Sequence, residues 1–176
     1  MYKISLIIKY LQAFYSYYLC VLYYFNMKII KHLVLFCSIA FFISCQTEQK
    51  PTVKFIKSQH ESRHSAPFSD ATEYNGLLFL TGQIGKDHKA GKMSEGGIQA
   101  ETKQVLNNIK DVLEANGSDM DHVLKCTVIL ADINDFSAMN EVYRTFFSKN
   151  KPARTTFAAN LVAGAKIEIE VVAAKR

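Results

Sequence analysis

From Gly97 to Asn116 the apolar residues Ile98, Val105, Ile109, Val112 and Leu113 recur at helical spacing, and Gly117 follows as a C′ residue able to end the helix. A second run, Phe136, Met139, Tyr143 and Phe146, has the same period, with Asp132 or Asn134 as its cap and an end near Lys149. Between the helices, Val123 to Leu130 reads as a strand, and further strands are expected near 154–159 and 166–174. Ahead of the first helix, Asn75-Gly76 separates two apolar runs over 72–81, the strongest short hairpin signal, because both turn residues must accept positive φ. The order β-β-α-β-α-β-β, with a possible leading strand over Val53 to Lys57, describes an α+β layer with two helices packed on one sheet face.

The last strand carries the clearest alternation. Ile167, Ile169 and Val171 fall on one face and Glu168 and Glu170 on the other. The Ile face should meet the helices, and the Glu face is expected to point to water or another subunit, where Arg154 could reach it. Arg154 opens the preceding strand in the run Lys151-Pro152-Ala153-Arg154. A guanidinium is permanently charged and matches a carboxylate two bonds at a time, which suits capture of a small carboxylate substrate. On spacing alone, an ordinary ion pair between Arg154 and Glu168 or Glu170 explains the same residues. The glycines of Thr81-Gly82-Gln83-Ile84-Gly85 read in isolation as a bulge or turn, and they also allow a close backbone approach to another chain or a ligand.

The beginning of the chain is different in kind. Residues 1–45 hold Lys3, Lys9, Lys28 and Lys31 and no acid, leaving 17 of the 21 basic residues to face all 16 acidic ones, a net of +1. The basic balance therefore belongs to the leader, and no basic stripe with interleaved aromatics is present to bind nucleic acid. Met27-Lys28 to His32, then the apolar run Leu33 to Ile43, then Ser44-Cys45, has the form of a secretory signal, and its end resembles the lipobox of bacterial lipoproteins, with Cys45 as the lipidated residue. An uncleaved anchor with an incidental Cys is the alternative. A start at Met27 is one expectation for residues 1–26, and a first membrane segment over about 4–25 is the other. The expected organisation is a leader over 1–45, a tether over 46–58 and one domain over 59–176. The domain would sit on a bacterial membrane facing the periplasm, or in the cytosol if the leader is not functional. Cysteines at 20, 37, 45 and 126 show no metal or disulfide spacing, and Cys126 reads as a small core residue.

Several runs together carry a resemblance. Ala66-Pro67-Phe68-Ser69, Leu80 to Ile84, Gly96 to Gln99, Ala131 to Phe136, Asn140 to Tyr143, Lys151 to Thr156 and Ile167 to Glu170 resemble, in order, the RidA/YjgF family of imine deaminases over roughly residues 64–176. The resemblance implies a chorismate-mutase-like mixed sheet, a homotrimer with sites at the subunit interfaces, and hydrolysis of small 2-imino acids to 2-keto acids and ammonia without metal or organic cofactor. It implies that Arg154 binds the substrate carboxylate and Glu168 orients the attacking water. Thr81, Gly82, Phe68 and Asn140 fall at substrate-binding positions, Asn140 being equally readable as a helix-surface residue. Phe68 stands where the family has Tyr, and Thr156 where it often has Cys. Non-catalytic binding of keto or imino acids is the alternative function, with an endoribonuclease behind it.

Overall fold

The computed structural model describes residues 11, 13–27, 29, 31, 32, 50 and 52–176. It divides into two units, Met1–Lys50 and Pro51–Arg176. In the first unit residues 13–27 are helical. Among the described residues no helix is long and apolar enough to cross a membrane. The apolar run before Ser44, and Cys45 itself, lie outside the described residues.

The second unit is built from β1 (Lys54–Ile56), β2 (Ala71–Tyr74), β3 (Leu77–Leu80), β4 (Gln83–Ile84), β5 (Lys86–Asp87), β6 (Lys92–Met93), α1 (Gly97–Ala115), β7 (Val123–Leu130), α2 (Phe136–Phe146), β8 (Ala153–Ala158) and β9 (Ile167–Ala174). The main sheet runs β1-β2-β3-β9-β7-β8, with β4 also paired to β9, and β5 and β6 form a separate two-stranded ribbon. Every pairing is antiparallel except β7 with β8. That one parallel pair is closed by the crossover through α2, the connection a parallel neighbour requires. The fold is therefore an α+β mixed sheet with two helices, as the strand and helix order predicts.

Local chemistry explains the elements. Asn75 and Gly76 adopt φ of 49° and 77°, the left-handed pair that a tight hairpin needs. Gly117 ends α1 at φ 77°. Asp132 caps a short 3-10 turn (Ile133–Asp135) by accepting from the Asn134 amide at 2.9 Å, and the chain passes from it directly into α2. The second helix stops at Phe146, short of Lys149, and Phe136 is exposed at its start instead of joining the core.

The core lies between the helices and the inner face of the sheet. Val105, Leu106, Ile109 and Leu113 of α1 and Met139 and Tyr143 of α2 pack with Cys126, Val128 and Leu130 of β7 and Ile167, Ile169 and Val171 of β9. The Ile face of β9 thus meets the helices, as its alternation predicts. Ile169 is fully buried at the sheet centre. Ile169→Ala should cost about 2–5 kcal/mol by lost burial and cavity formation. Denaturant unfolding checks this, and a loss below about 1 kcal/mol would mean that the strand is not the centre of the core.

Candidate functional site

Pairing of β7 with β8 decides where Arg154 points. Cys126 lies opposite Arg154, and Cys126 is fully buried beneath the helices. Neighbouring residues in register share a face, so Arg154 is on the helix side of the sheet. There its Nη1 donates to Asn140 Oδ1 at 2.7 Å. The guanidinium carbon stands 4.6 Å from the Tyr143 ring centroid and 5.6 Å from that of Phe136. Ring faces stabilise a cation without neutralising it. Among the described residues no carboxylate pairs with Arg154. Its remaining donors border a cavity of about 400 Å³ that Asn140, Tyr143, Arg144, Phe147, Lys151 and Pro152 also line.

The floor under the guanidinium is protonated. Burial pushes the Cys126 thiol up to about 11, so it is a packed thiol and not a thiolate nucleophile. Burial also raises the Tyr143 phenol, with the neighbouring Cys126 adding to the effect. The Tyr143 hydroxyl is buried without a hydrogen-bond partner of good geometry.

Glu168 is on the other face. It lies opposite Ile84 of β4 and Ile129 of β7, and it is partly buried. A Cβ placed on Gly82 would overlap Oε1 of Glu168, so only glycine leaves room for this carboxylate. Desolvation raises the Glu168 pKa above the ordinary carboxylate value, and the charge of Glu170 raises it further. Phe68, Thr81, Gly82 and Glu168 line a second cavity, of about 350 Å³. Glu170 is exposed and has no ion pair among the described residues.

The sequence-based expectation that Arg154 reaches the glutamate face is therefore corrected. Within one chain the proposed site residues form two separate groups, Arg154 with Asn140 and Glu168 with Phe68, Thr81 and Gly82. The alternation of β9 places both carboxylates away from the helices, and the register of β8 against β7 puts Arg154 across the sheet from them.

Sequence reasoning missed what holds Phe68. Arg63 makes a 2.9 Å ion pair with Asp70, and both side chains are largely buried. Its Nη1 also lies 3.0 Å from Gln83 Oε1 and 3.0 Å from His88 Nε2, while its guanidinium carbon stands 5.5 Å from the Phe68 ring centroid. Burial, then the charge of Arg63, lowers His88 to about 4, so at neutral pH the ring is uncharged and accepts from Arg63. Gln83 is buried at the start of β4. These residues sit in separate polar segments, and only folding brings them together. Among the described residues no group of three or more His, Cys, Asp or Glu is placed to hold a metal ion.

Comparison with known proteins agrees with this fold. The family model described as Endoribonuclease L-PSP matches residues 58–175. A protein of Homo sapiens named 2-iminobutanoate/2-iminopropanoate deaminase is 44% identical over 108 residues, which is 61% of this chain and 79% of that one. The Mus musculus protein of the same name is 40% identical over 121 residues, 68% of this chain and 90% of its own. The crystal structure of the YjgF gene product of E. coli superposes with a TM-score of 0.65 at 30% identity, covering 70% of this chain and 99% of that one. The chain belongs to the RidA/YjgF family, whose family model is described as Endoribonuclease L-PSP.

Proposed function

We propose that this chain hydrolyses small 2-imino acids to 2-keto acids and ammonia, in a site completed between copies of the chain. The observation that carries the reading is Arg154: a guanidinium held by an amide oxygen and two aromatic rings, with no carboxylate partner among the described residues, at the edge of a cavity. A substrate carboxylate supplies the bidentate partner it lacks. The deaminase relatives, at 40–44% identity, support the same chemistry. Glu168 of a second copy, seated on its Gly82, orients a water toward the C=N carbon. The water oxygen bonds to that carbon while Glu168 takes a proton. That proton passes to the nitrogen, and the hydroxyl proton of the resulting adduct follows it through the same carboxylate as the C–N bond breaks, so that ammonia leaves and the C=O bond forms. Imines hydrolyse unaided, so positioning carries most of the rate. The homotrimer implied by the resemblance supplies such contacts between copies.

A cavity of about 400 Å³ has room for a metabolite, whereas RNA needs a tracked basic groove with aromatic platforms. The leader belongs to the proposal as well: the basic segment after Met27, the apolar run and Cys45 support a lipid-anchored protein facing the periplasm. Mass spectrometry of the mature N-terminus tests that part, and a peptide from residues 10–26 in the mature protein would sink the start at Met27.

Arg154→Ala should lower ammonia release from iminopropanoate about a hundredfold or more, and Arg154→Lys should also be impaired, because a point charge cannot reproduce the fork. Parent-level activity in Arg154→Ala would end the assignment. Co-assembly of Arg154→Ala with Glu168→Gln should recover part of the activity that neither has alone, since some contacts then combine an intact Arg154 with an intact Glu168. No recovery in demonstrably mixed oligomers would place the site within one copy.

Protonation of Glu168 sets the expected acid limb of activity. Since burial and then the charge of Glu170 raise the Glu168 pKa, Glu170→Gln should move the limb to lower pH. A second acid effect acts on folding. His88 is depressed to about 4 in the fold, so below pH 6.5 the unfolded chain takes up a proton that the folded chain refuses. Stability from this group is intact above pH 6.5 and is lost as pH falls toward 4. Melting curves of the parent and His88→Gln separate it from the catalytic limb, since only the parent should show the His88 contribution.

A further inference from the structure

We propose that the cavity beside Arg154 receives a second anionic group, so that the substrate class of this site is the 2-imino dicarboxylates in preference to 2-imino acids with apolar side chains. The inference rests on the imine-hydrolase reading and deepens it.

Every charged side chain lining this cavity is positive: Arg144, Lys151 and Arg154. None of the three makes an ion pair among the described residues. Some cations elsewhere on the domain find acids, as Arg63 does on Asp70 and Lys175 on Glu73, and others such as Lys103 and Lys125 do not, so it is the meeting on one cavity that sets these three apart. Outside the leader the chain is almost neutral, so the convergence of three uncompensated cations on one cavity is a local feature and not a consequence of composition.

Helix structure accounts for part of it only. Arg144 lies in the last turn of α2, where the helix dipole favours a cation but does not discharge it. Lys151 lies beyond the helix and directly precedes Pro152, which biases its backbone toward extended conformations and away from the helical turn.

A monocarboxylate can satisfy Arg154 alone and leaves the potential of the other two cations unused. A second carboxylate on the same ligand meets Lys151 or Arg144 across the cavity, where low-dielectric walls focus the field. The chemistry divides accordingly: the flat fork of Arg154 suits the α-carboxylate, and the mobile ammonium of Lys151 follows a side-chain carboxylate of variable reach. Tyr143 and Phe147 supply apolar wall for the carbon stem between the two ends. A cavity of about 400 Å³ has room for a small dicarboxylate.

The test uses stable keto-acid probes on the assembled full-length chain, so that binding is read apart from turnover. By calorimetry at low salt, 2-oxoglutarate should bind about tenfold more tightly than 2-oxobutanoate, the scale of one added charge-assisted contact. In the double variant Arg144→Gln, Lys151→Gln the ratio of the two affinities should fall to about one. Both ligands are measured on the same variant, so a partial folding defect lowers both and leaves the ratio readable. Equal affinities in the parent, or an unchanged ratio in the double variant, would overturn the proposal. Inorganic phosphate binding as tightly as 2-oxoglutarate would overturn it too, because the cavity would then be a general anion site. Ammonia release from iminopropanoate and from the imine of aspartate is followed in parallel. Absence of release from both, with the affinity ratio intact, would sink the hydrolase reading while leaving the dicarboxylate cavity standing.

Discussion

A pleated strand sends neighbouring side chains to opposite faces, and in this sheet that constraint separates the two residues on which the proposed chemistry depends. Ile167, Ile169 and Val171 must face the helices to build the core, so Glu168 must face away. Arg154 is bound by the register of β8 to the same face as the buried Cys126, under α2. Glu168 cannot change sides without taking β9 out of the core, and Arg154 cannot without a shift in the register of β8 against β7. A reaction that needs both groups has to draw them from two chains, which is why the site is proposed at a contact between copies.

Each half answers its own electrostatic problem. An unpaired guanidinium against the sheet is costly unless its donors and its charge are met. The Asn140 amide oxygen meets one donor, and the faces of Tyr143 and Phe136 lie within cation-π reach. Since none of these is an anion, the charge stays available to a ligand. Glu168 has the opposite difficulty. Its carboxylate is pressed into the space that a side chain on Gly82 would occupy, and burial and Glu170 both favour the protonated form. An approaching cation would lower that pKa, so bringing Arg154 from another copy would also favour the ionised base the mechanism uses.

Local signals made most of the fold legible in the sequence. Asn75-Gly76, the periodic face of α1 and the alternation of β9 each rest on residues close together in the chain, and each appears where it was expected. The pairing of β8 with β7 is a different kind of information. Nothing in Ala153 to Ala158 says in which register the strand meets its neighbour, and that register sets the face Arg154 takes. The same limit hid the Arg63, Asp70, Gln83 and His88 group, whose members look like ordinary loop and strand polar residues until the chain brings them together. Individual site residues could be named from motifs, but their division between two faces could not.

The Arg63 group bears on Phe68, which the resemblance places where the family has tyrosine. A phenol near a site is fixed partly by its hydroxyl, and phenylalanine gives up that anchor. Here the ring has a guanidinium 5.5 Å from its centroid, and that guanidinium is itself tied to Asp70, Gln83 and His88. Phe68 is otherwise largely exposed. The ion pair with Asp70 uses much of the charge of Arg63, which leaves it better suited to holding the ring than to competing with Arg154 for a substrate carboxylate. In the proposed site Phe68 would then be an apolar wall held by Arg63, with recognition of charge left to the cavity on the other face of the sheet.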